Sequence, residues 1–119
     1  MKIEISQINE VSIAEIISEN IIINSTQDAL DIMGNCTYQG STRIIIREKN
    51  IIPDFFDLKT GIAGDILQKF LTYSVRLALV GDFKKYKSES LKDFIFESNN
   101  YGRVVFVSSV DEAKKRLVK

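Results

Sequence analysis

The segment Asp57-Leu58-Lys59-Thr60-Gly61-Ile62-Ala63-Gly64 holds the residue types best placed to do chemistry. It sets a carboxylate, an ammonium, a hydroxyl and two glycines where a loop turns into an amphipathic helix. Two glycines in the opening turns of such a helix each cost about 1 kcal/mol relative to alanine. A close backbone approach would offset that cost. The approaching group is a neighbouring element, a protein partner, or an anion resting on the unpaired N–H groups of the helix start. Thr60 stands where a hydroxyl, or a phosphoryl group carried on it, would meet those N–H groups. The plainer reading makes Asp57 or Thr60 an ordinary cap and Gly61 and Gly64 a tight helix–sheet contact. The segment is not a P-loop, because the Gly-Lys-Ser/Thr ending is missing and Lys59 precedes the helix.

A second set of candidates lies at the carboxyl ends of the expected strands. Asp54 and Asp57 follow the third strand, Asp82 the fourth and Asp111 the fifth. In open α/β sheets the ligand crevice lies at that edge. Convergence of Asp54, Asp57 and Asp82 would supply oxygen ligands for Mg²⁺ and hence phosphohydrolase chemistry, although no nucleophile motif accompanies them. Aspartate is equally at home in turns and caps for local reasons. Phe55, Phe56, Phe83 and Tyr86 fall beside the same edge. They serve either as plugs over the sheet end or, where exposed, as an apolar patch for a protein partner. Lys84, Lys85 and Lys87 around Tyr86 make a small basic loop, suited to phosphate or nucleic acid or simply solvated. Glu97 belongs to a Glu-Ser-Asn-Asn sequence that reads as a helix C-cap. Its alternative role is a base reaching back to the glycine-rich turn.

Alternating patterns over Lys2–Ile8 and Val11–Ile17 predict a hairpin turning at Asn9-Glu10. Whether Ile21–Ile23 continues the second strand or forms its own is open on sequence. Ser25 to Asp28 marks a helix start that buries Ala29, Leu30, Ile32 and Met33, with Gly34-Asn35 weakening or ending the helix. Arg43–Arg47, Val75–Val80 and Arg103–Val107 are β-branched or aliphatic runs that predict strands. Ile62, Ile66, Leu67, Phe70 and Leu71 form one helical stripe. Ser88 or Ser90 opens a third helix that ends near Asn99-Asn100. Ser109 and Glu112 form a capping box for a last helix buried through Val110, Ala113 and Leu117. The resulting order, β-β-α-β-α-β-α-β-α, predicts an α/β fold whose mixed sheet is mostly parallel.

The 119 residues suit one domain, 1–119, and a hydrophobic fraction of 45% suffices for a core. With 16 basic and 16 acidic residues, no bulk positive field favours nucleic acid. The absence of histidine excludes Ser-His-Asp, Cys-His and zinc-histidine chemistry. Cys36 is the lone cysteine, which points to a reducing compartment and a small apolar role. No apolar run approaches the ~20 residues of a membrane span. The expected location is cytoplasmic, and no cofactor is implied.

The run from Phe55 to Gly64, followed by Leu67-Gln68-Lys69-Phe70, resembles an uncharacterised bacterial family catalogued as domain of unknown function 4180. Matching stretches are Asp28-Ala29-Leu30-Asp31, Gly81-Asp82-Phe83 and Phe94-Ile95-Phe96-Glu97-Ser98-Asn99. The element order also looks like that of STAS domains, the anti-sigma-factor-antagonist fold, with helices mainly on one sheet face. That resemblance implies a regulatory or protein-interaction module. It also implies a phosphoacceptor after the third strand, here Thr60, although two residues separate it from Asp57 where the family pattern has one. The expected partner or anion surface comprises Asp57, Lys59, Thr60, Gly61, Gly64, Phe56, Phe83 and Tyr86. A protein partner is expected and a homo-oligomer left open. The alternative is a small-ligand or nucleotide-binding protein, or a Mg²⁺-dependent phosphohydrolase through Asp54, Asp57 and Asp82.

Overall fold

The first two strands, β1 (Lys2–Ile8) and β2 (Val11–Ile17), pair antiparallel in the register Ile3↔Ile16 and Ile8↔Val11. Their turn puts Asn9 at φ 51° and Glu10 at φ 66°. Positive φ at both central residues is what a two-residue turn needs to match the twist of its strands. The computed structural model describes residues 1–119. After the hairpin come α1 (Thr26–Tyr38), β3 (Arg43–Arg47), α2 (Ile62–Thr72), β4 (Arg76–Val80), α3 (Glu89–Tyr101), β5 (Val104–Val107) and α4 (Val110–Leu117). The five strands lie in the spatial order β1-β2-β3-β4-β5, parallel from β2 onward. Ile21–Ile23 is not a strand, and only a single bridge joins Ile23 to Ile51.

Strand alternation assigns the two faces. Ala14, Ile16, Ile44, Ile46, Leu77, Leu79 and Phe106 point to one side and meet the buried residues of α1, α2 and α3. Ile13, Ile45, Ala78, Val105 and Val107 point to the other, where α4 covers them with Ala113 and Leu117. Three helices thus share one face and a single short helix guards the second.

The starts of α1, α3 and α4 follow their predicted serine caps, whereas α1 and α3 run past the residues expected to end them. Ser25 accepts from the Asp28 N–H at 3.2 Å, Ser88 from Leu91 at 3.2 Å and Ser109 from Glu112 at 3.1 Å. Gly34-Asn35 fails to stop α1, because Cys36 extends its buried face and Gly34 lies on the exposed side. Similarly α3 runs past Asn99-Asn100 to Tyr101 and stops at Gly102, whose φ of 87° suits glycine. The last turn of α3 has a task. The Asn99 amide exchanges two hydrogen bonds with the Phe106 backbone (2.7 and 3.3 Å), and Ser98 donates to the Val104 carbonyl. These side chains occupy the outer edge of β5, which would otherwise offer itself to another strand.

Candidate functional site

The turn leading into α2 is built from two short 3-10 segments, Pro53–Phe56 and Leu58–Thr60. Phe55 and Phe56 anchor the first in the core. The Asp57 carboxylate caps the second by accepting from the Lys59 N–H at 3.2 Å. Thr60 is exposed as a residue, yet its hydroxyl is engaged. Its Oγ1 lies 2.8 Å from the Asp54 carbonyl and 2.9 Å from that of Asp57, and it accepts from the Ile62 N–H at 3.3 Å. One hydroxyl therefore locks the loop and covers the first amide of α2.

Gly61 takes φ 79° at the entrance of α2, a left-handed conformation that a side chain rarely adopts. Its presence is a backbone requirement. Gly64 differs. It lies within the helix, and a methyl group placed there would meet nothing within 4 Å. The tight helix–sheet contact expected at the two glycines is therefore absent, and no element of the chain approaches either one. Gly64 opens instead onto a groove of 460 Å³ between α2 and α3. Leu67 and Leu71 on one wall face Phe94 and Tyr101 on the other. Leu71, read from the sequence as part of the buried stripe, is 39% exposed, and Tyr101 is 71% exposed. The stripe narrows to Ala63, Ile66 and Phe70, leaving apolar surface uncovered along the groove.

The aromatic residues at the sheet end are mostly internal. Phe56 is 7% exposed and stacks on Tyr86 with ring centres 5.0 Å apart. Phe83 bridges Phe56 (5.9 Å) and Phe106 (5.2 Å). Phe83 and Tyr86 are half-buried, so these rings plug the sheet end and leave no room for Phe56 on an outer surface. The Tyr86 hydroxyl donates to Glu48, which also pairs with Lys85 at 2.9 Å. Burial first, then the Glu48 hydrogen bond and charge, hold the Tyr86 phenol far above its ordinary range. Gly81 is the glycine that close packing requires: an added Cβ would lie 2.6 Å from Glu48 Oε1 and 2.7 Å from its Cβ. Its sequence signal was no more than a strand end.

The carboxylates do not assemble into a metal site, and no group of three or more acidic, thiol or imidazole residues comes together anywhere in the chain. Asp57 and Asp82 each cap a 3-10 turn, Asp82 accepting from the Lys84 N–H at 3.3 Å. Asp111 sits in the first turn of α4, where a negative charge suits the helix dipole. Glu97 lines the groove rather than capping α3, on the wall opposite Gly64. Cys36 is buried in α1, and desolvation pushes its thiol up to about 11. It has the apolar role its sequence context suggested.

The order of strands, the antiparallel first pair and the placement of the helices define a STAS-like fold. A solved Thermotoga maritima protein, provisionally assigned as an anti-sigma factor antagonist, superposes with a TM-score of 0.52 over 98% of this chain and 95% of its own. Identity between the two is 15%, so the likeness is one of fold. The chain itself belongs to the family described as domain of unknown function 4180, whose model matches residues 8–117. No curated protein matches it. No helix is long and apolar enough to cross a membrane.

Proposed function

We propose that this protein is a regulatory module that receives a protein partner on α2. The surface runs from the Asp57–Gly64 turn into the groove beside α3. The carrying observation is Gly64: a helix-weakening residue at an exposed position with no contact from its own chain, next to an apolar groove. A residue that costs about 1 kcal/mol there is accounted for by a backbone that comes close when the partner docks. Leu67, Leu71, Phe94 and Tyr101 supply the apolar walls, and Gln68, Glu97 and Arg103 the polar rim, with Lys59 in the adjoining turn. The provisional assignment of the Thermotoga maritima neighbour supports a role among protein partners.

Thr60 is the candidate switch. A phosphoryl group on Oγ1 would add about −1.5 to −2 charges and replace the proton that serves the Asp54 and Asp57 carbonyls. The loop would lose its internal lock, and the new charge would lie beside the Asp57 carboxylate. The surface would change shape and sign together.

Affinity capture from the source cells tests the reading, with wild type, Gly64→Arg and Thr60→Glu as baits. A partner held by wild type and lost from both variants, each unfolding near the wild-type temperature, is the expected outcome. Identical captured sets for all three baits contradict it. Phosphopeptide mass spectrometry of the native protein tests Thr60 separately.

A further inference from the structure

Four of the five arginines of the chain meet at the amino edge of the sheet, opposite to the edge that carries Asp57 and Asp82. The cause is visible in the sequence: Arg43, Arg76 and Arg103 stand immediately before Ile44-Ile45, Leu77-Ala78 and Val104-Val105. Arg43 pairs with Arg76 across β3 and β4, and Leu77 pairs with Val104, so Arg103 lies one step back beside Arg76. Ile45, Ala78 and Val105 face α4, and side chains two residues earlier share that face. Three guanidinium groups thus form a row across adjacent strands, and Arg116 from α4 joins them. Like charges directly opposite one another weaken a sheet.

No acidic side chain pairs with the row, whereas the fifth arginine, Arg47, binds Glu15 at 2.6 Å. Two of the four have other partners. Arg76 donates to the carbonyls of Gly102 (3.1 Å), Arg116 (3.0 Å) and Lys119 (2.7 Å), and Arg116 to that of Asn99 (2.7 Å). Those carbonyls end α3 and α4, where positive charge is welcome. Arg43 and Arg103 differ: the Nε of each is buried without a hydrogen-bond partner. A buried donor left unmatched is costly, and natural structures seldom tolerate one without a reason. Beside the row opens a cavity of 350 Å³, lined by Arg76, Tyr101, Gly102 and Arg103. Burial, and then the charges of Arg43, Arg103 and Arg116, lower the Arg76 pKa below its ordinary range.

We infer that this arginine row is a binding site for a phosphate-type oxyanion, with Arg103 and Arg76 facing the cavity and Arg43 adding its charge from the neighbouring strand. Planar guanidinium groups match tetrahedral oxyanions through paired N–H bonds, which an ammonium cannot reproduce. The cavity has room for inorganic phosphate or for the phosphate group of a small ester. Binding would relieve the mutual repulsion of the row. Tyr101 and Arg103 also border the α2 groove, so the two sites adjoin, but phosphate binding and partner capture are separate readouts and either reading can fail without the other.

Phosphorus NMR and thermal unfolding of the full chain, titrated with inorganic phosphate and with glycerol phosphate, provide the test. Sodium chloride at matched ionic strength is the control. The expected result is saturable binding of inorganic phosphate, with a melting temperature that rises beyond the chloride control. Equal or tighter binding of glycerol phosphate identifies an ester as the preferred source, and weaker binding the free ion. Arg43→Gln with Arg103→Gln should lower affinity at least tenfold. Should that pair fail to fold, Arg43→Lys with Arg103→Lys keeps the charge and removes the fork, and it should also bind more weakly. Phosphate acting no differently from chloride, or unchanged affinity in the folded double variant, overturns the inference.

Discussion

At Gly81 the chain is so crowded that one added methyl would collide with Glu48, whereas at Gly64 the same methyl would meet nothing. The contrast extends to the regions around them. Near Gly81 the polar groups are matched inside the fold: Glu48 holds Tyr86 and Lys85, Asp82 caps its turn, and Phe56, Phe83 and Phe106 interlock. Around Gly64 apolar side chains line an open groove, and at the opposite sheet edge two arginine donors remain unmatched. Residues that the fold itself explains say little about function. Those that it leaves unexplained are where we propose that an external molecule acts.

Mutations can break this contrast, and the largest effect belongs to the crowded side. Gly81→Ala should destabilise by about 1–3 kcal/mol, since overpacking forces the Glu48 side chain and backbone to shift. Urea unfolding measures it, and a neutral result would mean that the sheet end is not tightly packed. Cys36 reports on the packed interior under α1. With its folded pKa raised from 9.0 to about 11, stability is retained below pH 9 and declines as pH rises from 9 through 11. The loss should reach on the order of 2 kcal/mol. Unfolding curves for wild type and Cys36→Ala, compared across that window, isolate the effect.

Asn99→Ala removes two bonds from the outer edge of β5 and should cost about 1–2 kcal/mol. The exposed edge should also raise the tendency to aggregate, which light scattering detects. At the amino edge the sign reverses. In phosphate-free, low-salt buffer Arg103→Gln should leave stability unchanged or raise it by up to about 1 kcal/mol, because repulsion within the row is relieved. A loss above that size would show that Arg103 is itself a structural donor.

How legible the chain was depended on the range of the interactions. The strands, the parallel order and the serine caps of α1, α3 and α4 follow from local alternation and from hydroxyls within three residues of the N–H they serve. The end of α1 lies beyond Gly34-Asn35 and that of α3 one residue beyond Asn100, and contacts outside the local pattern decide both. Burial of Cys36 carries α1 onward, and the β5 backbone recruits Ser98 and Asn99. Thr60 and Gly61 are exposed at the α2 turn, while the convergence of Asp54, Asp57 and Asp82 does not occur. Each short-range cap uses up an aspartate that spacing alone leaves available. The groove needed Tyr101 and Leu71 from two helices, and no single-segment pattern announces such a pairing. The arginine row did carry a signal, one arginine opening each of three parallel strands, but only register turns that repetition into proximity.

The most direct test of the α2 surface needs no partner in hand. Thermal and urea unfolding of Gly64→Ala compares a helix former with glycine at a position where the chain leaves open space. If Gly64 serves a visitor, the variant should fold normally and gain up to about 1 kcal/mol. A clear loss of stability would mean that the fold itself requires this glycine, and the α2 docking surface would lose its foundation.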